Sequence, residues 1–491
     1  MKNSICSILM GCCLVLASCD KQLSSIEPEY FINTRDDLKT VEDYDQVLKG
    51  AYKGMLSTSY YANNMLLTDV MTEDGIQGTT SYLDGRELVD WVYSPISVIP
   101  TNTWMAIYNV IARTNLVLTG MQKTASGDAV LKKKVLGQAY AIRAMAFFDI
   151  LRLYGEAYDR NSAAQGIVIR KTVDIESLER ATVKESYDQI IADLEAALNE
   201  LTGVTVNPAG SNNYYFDEWG VRALLARVYL YAGENQKAYD YATAVINSPR
   251  FRLENSTEFS KIWREDKHGG EVILALRVNL VDNIRVATFL SDYDPLKAGY
   301  AKRNFYDPSA TLTALYDKTN DIRYKAYFSD TIKVGITGTP ARRPILTKYS
   351  GRNASWDNIE DIKLIRLSEM YLIRAEAALN GAGQGEADAL KDLQTLKGKR
   401  ITNYVAEQLS GTALKDAVSK ERRREFSYEA QAWFDLRRSQ TPVNRNPTVF
   451  TSSKATNRNL AADSHLWAWP IPFAEVFNAD GVVVKQNNGY K

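Results

Sequence analysis

The chain has 491 residues, more than one core usually supports, so one large domain or two intimately packed ones are expected. Its 59 basic residues equal its 59 acidic ones, and this zero balance argues against nucleic acid as the main partner, because binding phosphates takes a basic surplus or patch. All four cysteines lie at or before Cys19, which excludes a disulfide framework, a cysteine metal site and a cysteine nucleophile in the body of the protein.

In chain order, residues 1–18 read as a signal peptide. Lys2 supplies the positive start, and the apolar run Ile5 to Ala17 is shorter than the roughly 20 residues a spanning helix needs. Leu16-Ala17-Ser18-Cys19 resembles a bacterial lipobox, which makes Cys19 the expected site of lipidation. The plainer reading is a secretory signal with a chance cysteine. Residues 19–40 are then a lipidated cysteine and a polar tether.

Residues 41–250 form the first helical region. Helices are expected over Val41–Leu56, Thr103–Gln122, Val130–Tyr154 and Lys184–Leu201, with an extended connection from Gly155 to Thr182. Thr68 to Pro100 is polar and turn-rich. In Trp219 to Pro249, Ala226, Tyr229, Gly233 and Ala238 stand at tetratricopeptide offsets, where small residues let paired helices approach and an aromatic fills the groove. Arg366 to Lys397 repeats the small residues at Ala375, Ala378 and Ala387. Residues 251–360 are rich in Gly, Pro, Asp, Asn and Tyr, with a strand-like run from Glu271 to Val278, and read as a second, irregular, loop-rich subdomain inserted between repeats. Residues 361–491 return to helix. The fold class is therefore mostly α: a tetratricopeptide-like helical scaffold with an irregular, loop-rich inserted subdomain.

Glu421 to Arg438, ERRREFSYEAQAWFDLRR, reads as a helix. Phe426, Ala430, Trp433 and Phe434 make one apolar stripe, and charges crowd its margins. Such charges persist only when paired, so the helix is expected to be pinned by ion pairs.

Chemistry is sparse. The two histidines, His268 and His465, have no metal-ligand spacing, and His268 before Gly269-Gly270 reads as a turn residue. There is no nucleophile elbow and no phosphate loop, and no catalytic residue, metal or cofactor is assigned. Binding is the better hypothesis. Flat rings stack on sugar faces while polar side chains take the hydroxyls. Trp104, Trp219, Trp263, Trp433, Trp467 and Trp469 fit core patterns. Trp91 and Trp356 stand in polar loops and are the stacking candidates, with Asp74, Tyr82, Tyr93, Tyr293, Tyr300 and Arg303 as companions. Packing is an equal account of any one of them.

Three stretches carry a family resemblance: Glu421 to Arg438; Ala141 to Asp159, AIRAMAFFDILRLYGEAYD; and Leu466 to Tyr490, which holds PIP, a following Glu and Asn, and QNNGY. In this order they resemble the SusD/RagB family of outer-membrane nutrient-binding lipoproteins, with Asn488 where that family often has proline. The resemblance implies a surface-exposed, lipid-anchored outer-membrane protein that binds an oligosaccharide and delivers it to a SusC-like TonB-dependent transporter. The alternatives are a peptide receptor for such a transporter, a tetratricopeptide protein-interaction scaffold and, last, a surface hydrolase.

Overall fold

The computed structural model describes residues 38–78, 85–123, 127–174, 177–335, 339–341, 343–445, 458–476 and 484–490. Cys19 and Tyr82 lie outside them.

Helix α1 (Val41–Met55) starts at a capping box in which Thr40 and Asp43 satisfy each other's backbone amides, and it buries Val41, Tyr44, Leu48, Ala51, Tyr52 and Met55 along one stripe. It packs on α2 (Val98–Lys123). Helix α3 (Ala129–Tyr154) lies between α2 and α4 (Val183–Leu201) and is buried on every side from Ala141 to Tyr154. This explains why the stretch reads as almost continuously apolar instead of as a stripe. The link from α3 to α4 is extended, as expected.

The tetratricopeptide offsets describe a real helix pair. Helix α5 (Glu218–Tyr231) turns into α6 (Asn235–Ile246) through Gly233, whose φ of +73° suits glycine. Ala226 and Ala238 are fully buried, and the Tyr229 ring stacks on Tyr241 with centroids 5.7 Å apart. Helix α6 then packs on α9 (Leu367–Leu379), which pairs with α10 (Glu386–Arg400). Degenerate repeats distant in sequence thus stack into one scaffold.

Between them lie α7 (Ser256–Arg264), α8 (Ile322–Tyr327) and short strands. The inserted subdomain is less separate than its sequence suggests. Strand β2 (Val272–Leu276) pairs antiparallel with β10 (Ile362–Arg366), both strands are wholly buried, and together they fix the insertion to the scaffold core. Beyond them β3 (Ser291–Tyr293), β4 (Tyr300–Asn304), β7 (Lys333–Val334) and β8 (Thr339–Pro340) form a four-stranded sheet over a small core of Tyr293, Ala301, Ile332, Val334 and Ile345. β1 (Gly75–Gln77) pairs with β5 (Tyr306–Pro308), while β6 (Phe328–Ser329) pairs with β9 (Ile345–Leu346). The segment from Thr68, polar and turn-rich in sequence, supplies β1 to the β1–β5 pairing. Thr68 to Thr72 are buried, and the segment wedges between scaffold and insertion.

The reading of Glu421 to Arg438 as one helix is corrected. Helix α11 (Gly411–Glu425) stops, Tyr428 and Ala430 adopt left-handed φ values of 60° and 57°, and α12 (Ala432–Arg438) starts afresh. The interruption has partners for its polar groups. The Asp69 carboxylate accepts from the amides of Ala430 and Ala432, both at 3.0 Å. Tyr316, Tyr327, Lys348 and Tyr349 donate to the carbonyls of Arg424, Glu425, Ser427 and Tyr428. The ion pairing expected at the margins is present. Glu425, fully buried, meets Arg323, Arg366 and Arg400 at 3.0, 2.7 and 3.0 Å, while Glu421 takes Arg323 and Glu429 takes Arg366 and Lys348. Burial alone would raise the Glu425 pKa, but Arg400, Arg366 and Arg323 together hold it well below the usual carboxylate range.

Candidate functional site

The two stacking candidates occupy opposite environments. Trp91 is buried at 2 % exposure; its indole N–H donates to the Met71 carbonyl at 3.0 Å, and the Arg445 guanidinium lies 3.9 Å from its ring centroid. That guanidinium is itself held by the carbonyls of Thr72, Val89 and Met71, and burial depresses its pKa to about 9. Both the edge and a face of Trp91 are used in packing, so its expected role as an exposed platform is corrected. Tyr93 is likewise buried, donating to the Leu466 carbonyl beside Tyr490. Asp74 is buried and accepts from Arg423 Nε at 2.6 Å, so its carboxylate pins α11. None of these three approaches the insertion's sheet as a free polar or aromatic group.

The other four candidates belong to the insertion. Tyr293 sits in the small core under the sheet and donates to the Leu346 carbonyl. Its ring meets that of Trp356, with centroids 5.3 Å apart. Tyr300 is buried on β4, with Lys297 Nζ 4.9 Å from its ring centroid. Arg303 is exposed on the same strand, 3.4 Å from Asp292. Tyr293 and Tyr300 thus act as packing beneath the surface; Trp356 and Arg303 reach it.

Trp356 is presented by a loop of unusual backbone. Gly351, Asn353, Ala354, Trp356 and Asn358 all have positive φ, from 54° to 104°. Each such non-glycine residue costs on the order of 1 kcal/mol, and such strain persists only when the surroundings over-determine it. Asn358 does so. Fully buried, its amide donates to the carbonyls of Val286, Ser291 and Tyr349 at 2.9 to 3.0 Å, and its Oδ1 accepts from the Tyr293 amide at 3.0 Å. Arg285 adds a bond to the Asp357 carbonyl at 2.9 Å. Gly351 is favoured by its φ of 104°, and a Cβ there would also press on Ser355 Oγ and Asp357 Oδ1 at 2.3 Å.

The half-buried Trp356 ring lines a cavity of about 530 Å³ together with Arg264, Lys318, Tyr324, Phe328 and Asp330. The Tyr324 hydroxyl donates to Asp330 at 2.9 Å, and Lys318 Nζ lies 3.4 Å from the same carboxylate and 4.7 Å from the Tyr324 ring centroid. The Arg264 guanidinium donates to Thr347 Oγ1 and Ser350 Oγ on the wall, and burial lowers its pKa. Aromatic faces and polar edges therefore converge at one opening, the combination a sugar requires. Apart from Trp356, the sequence reading missed this lining. The signal was available in Tyr316 to Asp330, where aromatic and charged residues alternate densely.

His268, which leads into the turn at Gly269-Gly270, is buried. It is 1 % exposed, with Nε2 3.3 Å from Asp361 Oδ2, and burial lowers its pKa. Asp266, His268 and Asp361 cluster closely enough to share an ion, but Lys363 and Arg352 hold Asp266 at 2.7 and 2.9 Å, and Tyr214 donates to Asp361 at 2.8 Å. Two cations already balance the two acids, a poor setting for a metal.

Two family models match the chain: "Starch-binding associating with outer membrane" over residues 28–230, and "SusD family" over residues 297–490. This chain belongs to the SusD/RagB family. Among similar proteins, SusD-like protein P38 of Formosa agariphila is 26% identical, the match covering 87% of this chain and 90% of that one. A SusD superfamily protein of Bacteroides thetaiotaomicron superposes with a TM-score of 0.79 at 25% identity, over 91% of this chain and 99% of that one. A structure described as a laminarin-binding SusD-like protein shares the fold at a TM-score of 0.70 and 20% identity, over 92% and 100% of the two chains. The SusD/RagB family thus brings its helical tetratricopeptide-like platform, and the insertion bearing Trp356 is built upon it.

Proposed function

We propose that this SusD/RagB protein is an outer-membrane lipoprotein that binds an oligosaccharide in the cavity beside Trp356 and delivers it to a SusC-like TonB-dependent transporter. Family membership supports the class of ligand and partner. The observation that carries the site is the Trp356 ring, half-buried on a strained loop that Asn358 locks, next to Tyr324, Phe328 and polar groups. Binding is supported over hydrolysis because Asp330 is the one carboxylate among the described residues lining this cavity, whereas glycoside cleavage usually takes a facing pair about 5–9 Å apart.

Isothermal titration against oligosaccharide pools, with thermal melts as control, tests the reading. Trp356→Ala is expected to weaken binding roughly tenfold to a hundredfold, as hot-spot tryptophans do, with little change in melting temperature. Wild-type affinity in that variant places the ligand elsewhere.

A further inference from the structure

Resting on that reading of the cavity, the ligand's charge can be inferred: we propose that the oligosaccharide is anionic, carrying uronate carboxylates or sulfate esters. The chain as a whole is neutral, but the walls and mouth of this cavity are not. Arg264, Lys318 and Lys325 line it, opposed by Asp330 alone. The cationic side continues onto the adjoining sheet. Lys333, exposed on β7, follows the lining residues Thr331 and Ile332, and its amide donates to the carbonyl of Gly299, another lining residue. Lys302 and Arg303 project, exposed, from β4, the strand paired with β7.

Of the acids nearby, Glu360, which acts on Arg264 electrostatically, is fully buried and its pKa is raised by that burial, and three others are engaged. Asp330 accepts from Tyr324 and faces Lys318. Asp292 is shared between Arg285 and Arg303. Asp317 spends its oxygens on the amides of Thr319 and Asn320 and on the Asn320 side chain, which hold its pKa down. Among the described residues, Lys302, Lys325 and Lys333 make no ion pair. The amines of Lys325 at the cavity and of Lys302 and Lys333 on the adjoining strands repel one another, and an arriving anion relieves that repulsion. A neutral glycan gives no such relief, and its hydroxyls are met as well by amides and hydroxyls. The ammonium groups are flexible point charges, suited to carboxylate or sulfate without a fixed bidentate geometry. The Trp356 ring supplies the apolar contact that both kinds of sugar need.

The test is binding to a polysaccharide panel by affinity electrophoresis and titration. Each uronate-bearing member is paired with its carboxyl-reduced form and each sulfated member with its desulfated form. The strongest hits are expected to be acidic, to lose about tenfold or more in affinity on neutralisation, and to weaken between about 20 and about 300 mM NaCl. Which paired form loses binding tells carboxylate from sulfate. A Lys325→Gln/Lys333→Gln double variant should lose several-fold affinity for the acidic hit at an unchanged melting temperature. Best hits that are neutral, or acidic hits indifferent to neutralisation and to the double variant, overturn the proposal while the glycan reading stands. An acidic hit that Trp356→Ala leaves untouched overturns it for this cavity. A panel with no hit brings down the glycan reading, and this inference with it.

Discussion

At the scale of single residues, Trp91 and Trp356 show what a side chain's neighbours decide. Both stand in polar sequence and both adopt left-handed backbone, with φ of 52° and 54°. Trp91 is covered by Arg445 and bonded to Met71; Trp356 leans on Tyr293 and keeps part of its ring at a cavity. Trp91→Ala should therefore cost about 3–5 kcal/mol, the range for truncating a large buried aromatic, and part of that loss comes from leaving the Arg445 guanidinium over a void. Urea unfolding of the variant checks the figure, and glycan affinity measured well below its melting temperature should match wild type. The reverse pattern, stability kept and affinity lost, would restore Trp91 as a ligand contact. Local sequence carries no information to separate the two rings. Arg445 lies far along the chain from Trp91, and the lock on the Trp356 loop comes from Asn358 reaching three separate carbonyls.

At the scale of elements, legibility followed the range of the interactions that build each one. Helices α1 to α4 are written locally in apolar periodicity, and their bounds agree with the sequence reading to within five residues, while α5 and α6 read in sequence as one repeat over Trp219 to Pro249. The break between α11 and α12 is not local. Phe426, Ala430, Trp433 and Phe434 keep helical spacing across it, and it exists because Asp69, Lys348, Tyr349 and Tyr316 arrive from elsewhere to take its free amides and carbonyls. Glu425 is the junction of that arrangement. Glu425→Gln leaves Arg323, Arg366 and Arg400 with a neutral partner in a buried site, and it should destabilise by about 3–5 kcal/mol in chemical denaturation. The pH dependence fixes the mechanism. Because the folded pKa of Glu425 lies well below its ordinary value of 4.5, its stabilisation is complete above that value and is lost as pH falls through the folded pKa. The stability gap between wild type and Glu425→Gln should therefore be constant near neutrality and shrink in acid. A gap that widens in acid would show that the charge is not what the three arginines hold.

At the scale of the whole molecule, the proposed outer-membrane location requires an attachment. Among the described residues no helix is long and apolar enough to cross one. The described chain starts at Leu38, whose carbonyl takes the Tyr44 hydroxyl at the head of α1, near the C-terminal end of α2, where a Cβ on Gly120 would strike the Tyr44 ring. From Cys19 to that point is a polar segment whose fully extended reach, at about 3.3–3.6 Å per residue, is on the order of 60 Å. The proposed lipid at Cys19 thus accounts for the proposed attachment. One chain gives only marginal binding, but the diacylglycerol and amide-linked acyl group of a bacterial lipoprotein together hold firmly. Cys19→Ala removes all of these chains at once. In fractionated cells the variant should leave the outer-membrane pellet for the soluble fraction, with a thermal melt like that of the wild-type body. A variant that still sediments after detergent-free washing would mean that contacts of the folded body, and not the lipid, hold this protein at the membrane.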